Sequence, residues 1–371
     1  STPCGTLFPY TTLFRSVTHH QTQAAKRAGR VYLGILLSTS IAFQLLAIVW
    51  TYFLAGTLDF RPGGILEGAA LSAGATTGLL ALYVFGIGKA AVMPFHRWLP
   101  AAMVAPTPVS ALLHAVAVVK AGVFSILKVA VYIFGMDSLS AWNANDWLIY
   151  PAGFTVIAAS AVALGILWRQ GNLKRLLAYS TISQLSYIVL GALVANRLGI
   201  LGGGMHIATH ALGKITLFFA AGAVYVAGNR TEVSHLRGLG RRMPWTMGAF
   251  AVASLSMIGL PPTGGFLSKW YLMLGVHEAE NLVVLTVLIV STLLNAAYFV
   301  PIIHMAFLQA EEPGPARGVG GKAAAGSIVR DHGEAPWPMV VALSATAAAT
   351  VLLFFFPGVL LSLLEGIVRG V

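Results

Sequence analysis

Long apolar stretches separated by short polar clusters dominate the chain, and a membrane-spanning helix needs about 20 mostly apolar residues. Nine stretches qualify: Val31–Leu54, Gly68–Met93, Pro108–Phe134, Leu148–Trp168, Leu176–Asn196, Gly199–Gly228, Pro244–Gly275, Leu282–Phe307 and Pro338–Leu364. Two of them are broken. After Lys89 comes AAVMPFHRWLP, where Pro94 and Pro100 cannot continue a helix, and before Lys269 comes GLPPTGGFLSK, where Pro261, Pro262, Gly264 and Gly265 interrupt it. At membrane depth, free backbone groups are tolerated only where protein buries them or water reaches them. Interrupted helices in different parts of a transporter point to inverted repeats and to an ion path. The pattern predicts an all-α polytopic membrane protein.

Against this apolar background, Lys89, Lys120, Lys128, Lys214 and Lys269 fall inside predicted spans. A charge at a helix centre costs about 2.5–3.5 kcal/mol on insertion scales, so intramembrane ionisable groups are read as functional by default. Lys128 is the weakest of the five, because its long stem can snorkel toward an interface. Desolvation disfavours a lysine's charged form and a nearby anion favours it, so a lysine between the two can take up and release a proton. In HIATHALGKITLFF, His206, His210 and Lys214 recur every four residues. The drift of about 40° per step keeps all three on one helix face. Histidine titrates near neutrality even unperturbed, and such a row joined by water makes a lateral proton relay. Zinc is the competing chemistry for the two histidines. HIATH lacks the glutamate of H-E-x-x-H, has no evident third ligand, and carries Lys214 on the same face. No metal and no cofactor is expected.

Composition agrees with the span reading. The chain is 57% hydrophobic and 9% charged, where a soluble domain carries about a quarter charged residues, and its mean hydropathy is +0.80. The net charge of +11 raises nucleic acid as a partner, but the basic residues sit in short loops and form no stripe interleaved with aromatics. They serve orientation instead. With a cytoplasmic N-terminus, fourteen lysines and arginines from Lys26 to Arg330 fall inside, and only Arg61, Arg197 and Arg369 outside. Cys4 is the only cysteine, which excludes disulfides, iron–sulfur clusters and Cys-based zinc sites within the chain. No Walker loop, dinucleotide fingerprint or Ser/His/Asp arrangement is present, so no redox or hydrolytic site is expected here. All twelve acidic residues fall in loops or at span ends. The carboxylate that would balance Lys89 within the membrane is therefore expected from a helix or subunit outside this chain. Thr6–Ser16, TLFPYTTLFRS, reads as the translation of a sequencing adapter, with native sequence beginning near Val17.

Four ordered motifs carry a family resemblance: GIGKAAVMPFHRWLPAAMVAPTPVSALLHAVAVVKAGVF, NLKRLLAYSTISQLSYIVLG, HIATHALGKITLFF and GLPPTGGFLSKWYLMLG. They resemble the proton-conducting antiporter-like family, which includes the large membrane-arm subunits of respiratory complex I and the A and D subunits of Mrp-type Na+/H+ antiporters. VTHHQTQAAKRAGRVYLG and KWYLMLG look more like the Mrp D-type branch. The resemblance implies a fold of about fourteen helices in inverted repeats, of which the first five are absent here. Residues 17–150 would be the C-terminal part of the first repeat, 151–308 the second repeat, 309–337 a cytoplasmic loop and 338–371 a C-terminal transmembrane helix. It also implies a proton relay through Lys89, Lys120, Lys174, His206, His210, Lys214 and Lys269, with His114 as a candidate pore-lining residue. The implied protein is a proton-translocating subunit of a multisubunit cation/proton antiporter. It would sit in the cell inner (plasma) membrane among other membrane subunits, with H+ and Na+ as its ions. Two other readings stand beside it: an equivalent pumping subunit of complex I or a membrane-bound hydrogenase, and a non-transporting scaffold or fragment.

Overall fold

The computed structural model describes residues 17–18, 21–69, 71–142, 146–310 and 333–369. The adapter-like segment and loop residues 311–332 lie outside them. Among the described residues the chain is helical, and seven helices are long and apolar enough to cross a membrane. These are α1 (Gln23–Ala55), α3 (Thr107–Phe134), α4 (Asp146–Trp168), α5 (Leu173–Leu193), α6 (Arg197–Gly228), α9 (Leu282–Leu308) and α10 (Trp337–Phe355). Four helices of intermediate length stand beside them: α2 (Ala73–Gly86), α7 (Pro244–Ile258), α8 (Gly264–Glu278) and α11 (Gly358–Arg369). The nine-span reading is not reproduced one for one. Gly68–Met93 is helical in a single α-helix only over Ala73–Gly86. Pro338–Leu364 is two helices, because Pro357 brings no amide hydrogen and its ring cannot continue α10.

Both predicted breaks are present, and the backbone groups they release have partners. After α2, a 3-10 turn at Gly88–Ala90 leads into a loop and a short helix at Trp98–Ala101. Trp98 Nε1 donates to Gly88 O at 3.0 Å, and Thr155 Oγ1 accepts the Met93 amide at 3.1 Å. Between α7 and α8, Gly259 at φ 92° ends the first half-helix, where a side chain would be strained. The last carbonyls of α7 go to Lys269 of α8, whose Nζ donates to Met257 O at 2.9 Å and Ile258 O at 3.0 Å. An ammonium at a helix C-terminus satisfies orphan carbonyls and opposes the helix dipole.

α5 is buried almost along its whole length and packs against α4 and α6, with α3 and α8 also touching α6. The site is built around this α5–α6 pair. The start of α7 is capped from far along the chain. Glu334 Oε1 accepts the Trp245 amide at 2.6 Å and the Thr246 amide at 3.3 Å, and Thr246 Oγ1 donates to Glu334 Oε2 at 2.7 Å. A remote carboxylate thus does the work of an N-cap residue. Glu334→Gln removes its charge and weakens these bonds, by about 1 kcal/mol on the scale of helix caps. Amide exchange at Trp245 and Thr246 is then about fivefold faster, with α6 unchanged; equal protection in both proteins counts against the cap.

Candidate functional site

His206, His210 and Lys214 lie on one face of α6, all fully buried. Apolar packing of α6 against α5, α3 and α8 closes lipid off from that face, so each titratable group meets protein. His206 is held at both ring nitrogens, by Gln184 Oε1 on Nε2 and by Ser268 Oγ on Nδ1, each at 2.9 Å. Gln184 Nε2 donates to Met257 O at 3.4 Å, which turns its oxygen toward the imidazole. The Ser268 hydroxyl can donate to Gly265 O, 3.0 Å away, or to His206. The imidazole therefore fits in either protonation state: Nε2 keeps its hydrogen on Gln184, while Nδ1 donates to Ser268 or accepts from it. With both nitrogens engaged, His206 has no lone pair to offer a metal.

His210 turns toward α3, where Lys120 Nζ lies 2.7 Å from its Nδ1. This contact joins residues 90 positions apart and is the tightest link between two predicted relay groups. Its other nitrogen, Nε2, is buried without a hydrogen-bond partner. Lys214 Nζ donates to Ser180 Oγ at 2.7 Å and to Leu177 O at 3.3 Å. The His206 and His210 ring centroids are 5.9 Å apart, and no direct hydrogen bond joins them. Two like charges at that separation repel by about 3 kcal/mol at an effective dielectric near 20. The row consequently disfavours charge on adjacent groups at the same time.

The remaining predicted groups lie around this centre. Lys269 Nζ sits on the α7 carbonyls and 4.7 Å over the Tyr187 ring. Tyr187 in turn lies 5.6 Å from His206, centroid to centroid. Lys89 is half-buried on the first break, and its main chain packs against Gly122 of α3, where a Cβ would lie 2.6 Å from the Lys89 carbonyl carbon. That break therefore touches the helix carrying Lys120. Lys174 is set apart from the row: its Nζ donates to Ala105 O at 2.9 Å and lines a cleft of about 440 Å³ with Pro106, Phe218 and Arg230. His114, on a π-helical turn of α3, is buried with neither ring nitrogen hydrogen-bonded, its ring 5.1 Å from Phe218. Lys128 stands outside the row, with Nζ 3.9 Å from the Phe60 ring centroid.

Sequence reasoning missed the partners Ser180, Gln184, Tyr187, Ser268, Asn295 and Tyr298. Their signal was present. Ser180, Gln184 and Tyr187 recur at i, i+4 and i+7 on α5, and Ser291, Asn295 and Tyr298 do so on α9, which is the period of one helix face.

A family model described as NADH:quinone oxidoreductase/Mrp antiporter, TM, matches residues 5–295. The chain is 38% identical over 280 residues to NADH-quinone oxidoreductase subunit N of Desulforudis audaxviator, covering 74% of this chain and 54% of that protein. Hydrogenase-4 component B of Escherichia coli is 34% identical over 272 residues, covering 69% of this chain and 38% of that protein. The chain thus spans about half or less of the length of these curated relatives. In fold it is similar to a chain in the structure of the Mrp complex from a Dietzia species, with a TM-score of 0.80 and 24% identity, covering 97% of this chain and 71% of that one.

Proposed function

We propose that this chain, which belongs to the NADH:quinone oxidoreductase/Mrp antiporter transmembrane family, works as a proton-translocating membrane subunit with the Lys/His row as its lateral path. The observation that carries this reading is the buried Lys120–His210 contact, set beside His206 and Lys214 on one helix face. Buried amines and imidazoles this close have little structural use that an apolar side chain would not serve better. Protons step along Lys120, His210, His206 and Lys269, with Lys214 on the same face and Lys89 at the first break, and water bridges the gaps. The absence of a direct bond between His206 and His210 makes water necessary there, and the open Nε2 of His210 offers it an anchor. Lys174 lines the cleft, and the buried, unbonded His114 packs against Phe218, which lines the same cleft, so we assign both to proton uptake. One charge crossing 100 mV exchanges about 2.3 kcal/mol, close to the repulsion between neighbouring charged groups, so occupancy of one position can gate the next.

The broken helices support an inverted-repeat architecture of the antiporter type. The host complex we propose is a multisubunit monovalent cation/proton antiporter of the Mrp kind, in keeping with the motifs around Lys26 and Trp270 and with the fold similarity. The identity to a quinone oxidoreductase subunit and to a hydrogenase component supports a second reading, the same pumping role in a quinone- or hydrogen-linked complex. Proteins co-purifying with the tagged full-length protein separate the two. In everted membrane vesicles, Lys120→Ala lowers proton flux at least about tenfold, a rise of about 1.4 kcal/mol in the rate-limiting barrier. Lys128→Ala leaves flux unchanged, because its amine lies outside the row. Equal flux from wild type and Lys120→Ala rules out the relay.

A further inference from the structure

α4, α5 and α9 enclose a cluster of polar side chains beside the Lys/His row. Ser291, Asn295 and Tyr298 of α9 are fully buried, as are Ser180 and Ser183 of α5 and Ser160 of α4. The helices meet through these groups: Ser160 Oγ lies 2.8 Å from Ser183 Oγ and 3.3 Å from Ser291 Oγ. From Lys214 a hydrogen-bonded chain leaves the row sideways. Its Nζ donates to Ser180 Oγ at 2.7 Å, Ser180 Oγ lies 3.0 Å from the Tyr298 hydroxyl, and that hydroxyl is bonded to Asn295 Oδ1. Beyond it, Asn295 Nδ2 and the Tyr187 hydroxyl are buried with no hydrogen-bond partner. The Tyr187 hydroxyl is turned toward Ser291, Thr292 and Asn295 without completing a bond to any of them. Buried polar groups left unsatisfied are costly, and a buried water needs two to four polar partners, which this cluster supplies. Tyr187 also brings this cluster beside the row, since its ring lies 4.7 Å beneath Lys269 Nζ.

We propose that Ser180, Tyr298, Asn295, Ser291 and Tyr187 hold bound water and form a second proton conduit between Lys214 and the Lys269 end, parallel to the histidines. The proposal rests on the proton-translocating reading above. Each hydroxyl takes one hydrogen and gives one: Lys214 passes a proton to Ser180 Oγ as the Ser180 hydrogen moves to the Tyr298 oxygen, and the Tyr298 hydroxyl turns from Asn295 Oδ1 to give its hydrogen to adjoining water. Lys214 ends as the neutral amine, the water carries the proton on, and Asn295 positions that water without carrying the proton.

The test uses the full-length protein in its complex. His206→Gln with His210→Gln keeps roughly a tenth or more of wild-type proton flux, and adding Asn295→Leu lowers the remainder at least about fivefold. A His206→Gln/His210→Gln protein with no flux, or one indifferent to Asn295→Leu, overturns the conduit. A second measurement does not depend on transport. In a Cys4→Ser background, Ser291→Cys and Asn295→Cys react with methanethiosulfonate ethylammonium, and Leu288→Cys on the same helix does not. Unreactive cysteines at both 291 and 295 overturn the proposal too. If wild type itself moves no protons, the transport reading fails, while the labelling still reports whether the cluster is wet.

Discussion

Replacing Lys214 with methionine leaves the complex assembled and cuts its proton flux at least about tenfold, the change expected when a barrier rises by about 1.4 kcal/mol. Methionine is the informative substitution because Lys214 is among the largest fully buried side chains. Alanine there would leave a cavity costing about 2–5 kcal/mol, and lost flux could then mean lost folding. A volume-conserving swap typically costs under about 1.5 kcal/mol. What methionine removes is the donor to Ser180 Oγ and Leu177 O and the charge at the end of the α6 row. Dye-detected acidification of everted vesicles, normalised to the amount of assembled complex, reads the effect. Flux within twofold of wild type would remove Lys214 from the path.

The largest expected effect on folding is at the second break. A Cβ on Gly265 would lie 1.9 Å from Ser256 O and 2.8 Å from its carbonyl carbon. Those are main-chain atoms of α7, so no rotamer change relieves the clash and the two half-helices must move apart. Overpacking usually costs about 1–3 kcal/mol, and a backbone-on-backbone clash belongs at or above the upper end. Lys269 sits one turn further along α8, so the same displacement pulls its amine from Met257 O and Ile258 O. Gly265→Ala is expected to lower both the thermal midpoint in detergent and the proton flux. Gly248, by contrast, has nothing within 4 Å of where a Cβ would stand and lies inside α7, so Gly248→Ala should be neutral or slightly stabilising, as alanine is the better helix former. Matching midpoints for the two variants would show that the half-helices are not packed as described.

Much of this arrangement was legible along the chain because it is local. Pro94, Pro261 and Pro262 announce the breaks through missing amides, and the four-residue spacing of His206, His210 and Lys214 announces their common face. The Lys120–His210 contact was not legible, since periodicity says which face a residue shares and not which helix lies opposite. Lys269 illustrates a second limit. Its buried position was evident, but its use as a cap on α7 depends on where the half-helix stops, which the turn at Gly259 decides. The α9 stripe and the end of α10 were obscured by averaging: a window of some twenty residues stays apolar whether or not it holds Ser291, Asn295 and Tyr298, or a single Pro357.

The clasp between Lys269 and the severed end of α7 ties two kinds of event together. A neutral amine grips helix-end carbonyls less firmly than an ammonium, so any change of charge at that nitrogen slackens or tightens the joint between the half-helices. Traffic of hydrogen ions and flexing of the membrane segment would then share one latch, giving a neighbouring subunit something mechanical to feel.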